Sequence, residues 1–145
     1  MAASANPING TAYVLKVSTD AGVSWDTVAH VQSASFSAGM EPRDTTTKDS
    51  AGWRELGEGL RSWSMTGSGL VAYSVGTDEA SPKNLFDIYT ARTKAKFQFT
   101  TANTGDFKWE GDGYITEFSQ ESGVEDNVTF SISIEGSGPL AVAAV

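Results

Sequence analysis

The strongest constraint on this chain is an alternation of period two. From Ser62 to Val75 the odd positions carry Trp63, Met65, Gly67, Gly69, Val71, Tyr73 and Val75, while Ser62, Ser64, Thr66, Ser68 and Ser74 fall on even positions. Strand side chains point alternately to opposite faces, so the pattern describes one long strand, or two joined at a bend, with one buried face. Gly67 and Gly69 mark a bend or a close backbone approach. Farther on, Val128, Phe130, Ile132 and Ile134 share one face, and Thr129, Ser131, Ser133 and Glu135 the other. In the segment before them the phase slips: Phe107 and Trp109 are odd, Tyr114 and Phe118 even. Gly111-Asp112-Gly113 lies at the switch, and a β-bulge there is expected to restore a single apolar face.

Further strands are expected at Thr11–Ser18, Trp25–His30, Val31–Ala38 and Ala95–Thr101, with a hairpin loop around Asn103-Thr104-Gly105. One segment has helical spacing instead. Ser81 caps it, Pro82 opens its first turn, and Leu85, Phe86, Ile88, Tyr89 and Arg92 follow over about three turns. The fold class is therefore mainly β: a β-sandwich or partly closed barrel with one short α-helix and a long protruding charged loop. The 145 residues suffice for one domain with a real core, spanning 1–145.

Composition excludes several function classes. The net charge of −8 argues against a general nucleic-acid or acidic-membrane binder. Cysteine is absent, which removes disulfides and thiolate metal sites. MAASANPING has neither a basic nor an apolar region of a signal peptide, and LAVAAV is too short to span a bilayer, so no secretion signal and no membrane partner are expected.

Catalytic chemistry finds little material. His30 is the sole histidine, so His-based triads and multi-histidine metal sites are ruled out. Glu110 and Glu117 are the carboxylate pair a glycosidase would use, but no cleft signal accompanies them. Ser18-Thr19-Asp20-Ala21-Gly22-Val23-Ser24-Trp25 fits the Asp-box pattern, whose single copy here signifies a stable hairpin rather than glycosidase activity. No catalytic, cofactor-binding or metal residues are assigned, and no cofactor is expected.

Charge is unevenly spread. From Asp106 to Glu135 eight acids face a single base, Lys108. The phase assignment puts Glu110, Glu117 and Glu135 opposite the aromatic face, as a solvated surface or one that repels a polyanion. The segment 40–61 is different: five acids and four bases lie between Glu41 and Arg61 without clear periodicity. It is too long for an ordinary connection in a compact domain. Trp53 within it either folds back onto its own domain or anchors a contact with another surface, with the flanking charges setting register.

The stretch Lys48-Asp49-Ser50-Ala51-Gly52-Trp53-Arg54-Glu55-Leu56, followed by Trp63-Ser64-Met65-Thr66-Gly67-Ser68-Gly69-Leu70, resembles the TP901-1-type major tail proteins of long-tailed bacteriophages and the similar tail proteins of gene transfer agents. Gly52 and Trp53 are adjacent here, without the spacer some relatives carry. The resemblance implies a virion tail tube subunit, assembled in the host bacterial cytoplasm. Such subunits form hexameric rings that stack around a tape measure protein and later conduct DNA; tail terminator and distal tail proteins are the implied further partners. It assigns inter-ring contact to Lys48, Asp49, Gly52, Trp53, Arg54, Glu55 and Leu56, and makes residues 1–10 and 139–145 terminal arms. Within such a tube, Glu110, Glu117 and Glu135 become lumen-facing candidates, since an acidic or hydroxyl-lined wall does not hold phosphates. The alternative is a small β-sandwich binding module for carbohydrate or receptor, with Trp53 free to meet ligand. A small glycosidase is a third reading, sensitive to Glu110→Gln or Glu117→Gln.

Overall fold

A computed structural model describes residues 4–101 and 103–145. Among the described residues nine strands follow in chain order: β1 (Val14–Ser18), β2 (Asp26–Val28), β3 (Val31–Asp44), β4 (Leu56–Leu70), β5 (Glu79–Ala80), β6 (Ala95–Thr100), β7 (Phe107–Glu121), β8 (Thr129–Gly136) and β9 (Ala141–Ala144). One α-helix, α1 (Pro82–Ala91), lies between β5 and β6 among the described residues. The strands form one open sheet in the order β3-β4-β8-β7-β6-β1-β2-β5, with β9 added to β7.

The sheet folds over on itself. Phe36 of β3 reaches Phe99 of β6 with ring centroids 5.4 Å apart, although three strands separate them in the sheet order. Leu15, Val17, Met65, Phe97, Phe130, Ile132 and Ile134 fill the enclosed space. Alternation forecast the inward faces of β4 and β8: Trp63, Met65, Gly67 and Gly69, and Phe130, Ile132 and Ile134, are buried. Helix α1 starts as expected, with the Ser81 hydroxyl accepting from the Asn84 amide. Its buried side chains Leu85 and Ile88 join the core, and Phe86 meets Phe118 of β7 at 5.5 Å. Burying each such side chain contributes roughly 1.5–3 kcal/mol.

Trp63 explains two glycines. A Cβ at Gly136 would stand 2.1 Å from the indole, and one at Gly111 would stand 2.6 Å from it. The ring lies against both backbones, and its Nε1–H donates to the Gly138 carbonyl at 3.0 Å. Gly69 makes a comparable approach to the turn before β3, where an added Cβ would meet the His30 carbonyl at 2.2 Å. His30 itself has φ 56° at that turn, a backbone role.

Several expectations are corrected. The bulge lies between Ile115 and Glu117, not at Gly111-Asp112-Gly113, because those glycines accommodate Trp63 and Glu135 backbone while staying in phase. Trp109, Gly111, Gly113 and Ile115 therefore share the inner side, Tyr114 turns outward, and only Phe118 returns inward beyond the extra residue. Strand β4 stops at Leu70, and Tyr73 is exposed rather than part of a continuing face. The first strand begins at Val14, preceded by a 3-10 turn over Gly10–Ala12. Strand β3 is longer than the Val31–Ala38 expected, and half of the segment 40–61 is strand rather than loop.

Candidate assembly surface

The segment 40–61 is a two-stranded ribbon. β3 and β4 pair from Val31↔Gly69 out to Asp44↔Leu56, and beyond Ala38↔Trp63 most residues are exposed on both sides. That outer part is about 20 Å of paired strand. Pro42 cannot donate to a ladder, yet it is accommodated on an edge strand at the irregularity between Glu41 and Arg43. Across from it Gly59 is required, since a Cβ there would fall 1.4 Å from the Glu41 carbonyl oxygen. Arg43 Nε donates to the Glu58 carbonyl at 2.7 Å and braces the same place.

The tip bonds to itself. The Thr45 amide donates to the Glu55 carbonyl at 2.9 Å, and the Glu55 amide donates to the Thr46 hydroxyl at 2.8 Å. Lys48–Ser50 makes a 3-10 turn whose Ser50 hydroxyl accepts from the Thr47 amide at 3.0 Å. Ala51 (φ 53°) and Gly52 (φ 84°) then reverse the chain, and the Trp53 amide donates back to Ser50 at 3.0 Å. Hydrogen bonds from the Thr46 hydroxyl and amide hold the Asp44 carboxyl below its ordinary value. The result is a structured knob whose apolar side chains face solvent: Trp53 is 79% exposed and Leu56 is 51% exposed. Lys48, Asp49, Arg54 and Glu55 surround them, all exposed.

The outward face of β3-β4-β8-β7 is a carpet of hydroxyls and acids. Its cross-strand rows read Ser37–Ser64–Glu135–Tyr114, Ser35–Thr66–Ser133–Glu117 and Ser33–Ser68–Ser131–Ser119. Neighbouring hydroxyls bond to each other, Ser35 to Thr66 at 2.7 Å and Ser37 to Ser64 at 3.0 Å. Those three rows contain no cationic side chain. Glu117 and Glu135 thus share one face. Glu110 does not join them: it lies in the row Lys16–Gln98–Glu110, accepts from Gln98 Nε2 at 3.0 Å, and stands 4.0 Å from Lys108. Alternation already puts the hydroxyls of β4 and β8 opposite Trp63 and Phe130; that Ser33, Ser35 and Ser37 of β3 and Ser119 of β7 join them in one face is visible only in the strand pairing.

Two backbone edges bound this four-stranded face. β3 pairs only with β4, and Ile115–Glu121 of β7 has β8 as its sole strand partner among the described residues. Each is a sheet border with no second strand beside it, and α1 packs near the β7 one, Phe86 against Phe118.

The chain ends dock on their own subunit. β9 pairs with Phe107–Glu110, and the Val145 amide donates to the Asp106 carbonyl at 2.7 Å. The buried Asp106 carboxylate accepts from the Ser4 amide at 2.6 Å, from the Ser4 and Thr101 hydroxyls and from Asn103. The Ser4 amide is the main influence that keeps this carboxyl below its ordinary value. Residues 1–3 of the expected N-terminal arm lie outside the described residues. The Asp-box also forms its expected turn: Asp20 accepts from the Ser24 hydroxyl and amide and from Ser18, which lowers its pKa to about 2.

A family model described as phage tail tube protein matches residues 7–142. The chain belongs to the phage tail tube protein family. As a tail tube protein it also shares its fold with solved tails. It is similar to a chain of the tail of an empty gene transfer agent particle, computed with C6 symmetry: TM-score 0.80, 23% identity, 95% of this chain and 100% of that one. A chain from the virion of a native gene transfer agent particle gives TM-score 0.78 at 23% identity, with 95% of this chain and 100% of that one covered. The SPP1 tail tube gives TM-score 0.73 at 21% identity, with 96% of this chain and 80% of that one covered. No curated protein matches the sequence.

Proposed function

We propose that this tail tube protein forms stacked rings, six copies to a ring, making a hollow virion tube around a tape measure protein. The whole chain acts as one non-enzymatic structural domain, assembled in the bacterial cytoplasm and later conducting DNA. The observation that carries this reading is the hydroxyl-and-acid face bounded by two free strand edges. Joining the β3 edge of one copy to the Ile115–Glu121 edge of the next satisfies both borders and continues the sheet. Repeated around an axis, the contact closes a ring whose wall is that face.

Chemistry favours this face as the lumen. A cationic wall would bind phosphates at many points, whereas paired serine hydroxyls with Glu117 and Glu135 offer none a counter-charge. Glu110, paired with Lys108 and hydrogen-bonded by Gln98, is assigned a place outside the lumen wall. The ribbon 40–61 is the inter-ring element, with Lys48, Asp49, Gly52, Trp53, Arg54, Glu55 and Leu56 at its contact tip. Residues 139–145 remain docked on their own protomer, beside the base of the ribbon. Tail terminator and distal tail proteins cap the two ends. The six-fold count follows the symmetry of the gene transfer agent tail, whose fold this chain shares.

Negative-stain microscopy of the purified protein over a concentration series tests the reading. Rings or hollow tubes are expected. A monodisperse monomer at every concentration, even with preformed tube ends added, would reject it.

A further inference from the structure

Two apolar surfaces lie at opposite ends of the outer β3–β4 ribbon. One is the tip, where Trp53 and Leu56 face solvent. The other is a groove of about 800 Å3 at the ribbon's base, where it meets the C-terminal segment. Phe36, Trp63, Trp109 and Leu140 are its less exposed lining, and Met40 and Val142 its more exposed one. The Phe36 and Trp109 rings stand 5.1 Å apart, so an aromatic surface is presented to whatever enters.

The tip cannot fill the groove on its own chain. The paired ribbon from Met40↔Arg61 to Asp44↔Leu56 separates them by roughly 13 Å of strand. A knob and a hole at different places on one chain make a heterologous contact, in which each copy gives one and receives one. Such a contact does not stop at a dimer: it closes a ring or runs on along an axis, according to the rotation between copies. Charge agrees: Arg61 is the one charged side chain among the described residues lining the groove, while Asp44 to Leu56 carries three acids and two bases. The groove also borders β3, whose free edge is the one the ring reading pairs with a neighbour.

The geometry points to a knob-in-groove contact between copies: the Trp53–Leu56 tip of one protomer seats in the Phe36–Trp109–Val142 groove of a second copy. This rests on the stacked-ring reading and names the surface that receives the arm. A seated indole removes roughly 150–250 Å2 from water, and contacts repeated around a ring act together.

The chain has no native cysteine, which permits a clean cross-link. The full chain carrying Arg54→Cys and Val142→Cys is treated with a short bismaleimide and examined by denaturing gel and microscopy. A ladder of multimers is expected, absent when either substitution is present alone. Val142→Glu, at an exposed position, should raise the protein concentration needed for tube growth on the order of tenfold. Its melting temperature should match the parent; if it does not, the cross-link decides. Tubes visible by microscopy with no ladder would overturn the groove while leaving the rings. Neither tubes nor ladder would overturn both.

Discussion

Trp53 and Trp63 stand ten positions apart on one hairpin, and they live in opposite environments. Trp63 is 6% exposed, laid against Gly111 and Gly136 with its N–H bonded; Trp53 is 79% exposed on a structured tip. The same side chain is core at one end of a ribbon and free surface at the other. The lesson concerns what surrounds each. The base of the ribbon has β8 beside it and a folded-over sheet above it; the outer ribbon has only its own second strand. An isolated two-stranded ribbon is marginal in water, so this one relies on bracing at Pro42, Arg43 and the tip bonds.

The contrast breaks most visibly if Trp63 is truncated. Trp63→Ala should cost about 3–5 kcal/mol, read from denaturant unfolding. A loss near zero would mean that the indole is not part of the packed wall. Gly136→Ala comes next, because its methyl would enter the indole. A loss of about 1–3 kcal/mol is expected, as for other overpacked sites. An unchanged midpoint would show that the ring does not lie flat on that backbone.

Acid sharpens the comparison at the ends of the sheet. Asp20 and Asp106 have lowered folded-state pKa values, with hydrogen bonds to the charged form as the cause. Their contribution is therefore complete above the unfolded value of 3.8 and is lost as pH falls through the folded one, about 2 for Asp20. Amide protection, corrected for intrinsic exchange, should fall at Ser24 between pH 4 and pH 2 and at Ser4 as pH drops below the ordinary carboxyl value, before the core amides of β4 and β8 respond. Asp106→Asn should remove the pH dependence at Ser4 while leaving that at Ser24; equal exchange at both ends would count against the assignment.

The smallest effect on stability belongs to Trp53. Trp53→Ala should change monomer unfolding by no more than about 0.5 kcal/mol while suppressing tube growth. A large loss of monomer stability would place the indole in its own core and erase the difference between the two tryptophans.

These two regions also show why part of the fold was readable and part was not. Alternation appears where one face of a strand is buried, as at Trp63, Met65, Phe130, Ile132 and Ile134. The outer ribbon buries neither face, so Met40, Glu41, Arg43 and Leu60 carry no period, and strands there read as loop. In β7 the slip was seen but misplaced. The glycines looked like its cause, although Gly111 clears space for the Trp63 ring 48 positions earlier in the chain and Gly113 for the Glu135 backbone. The acids of β7 and β8 were legible individually. Their grouping was not: Glu117 and Glu135 meet on one face, while Glu110 pairs off with Gln98 and Lys108.

From its own residues the chain determined a mainly β fold, the inward faces of β4 and β8, the capped helix and the Asp-box turn. Each follows from contacts among near neighbours or from the two-residue repeat of a half-buried strand. The strand order, the true bulge, the two free edges and the pairing of distant serines into one face came only with tertiary structure. Those features depend on which strand lies beside which, and local alternation is indifferent to that choice.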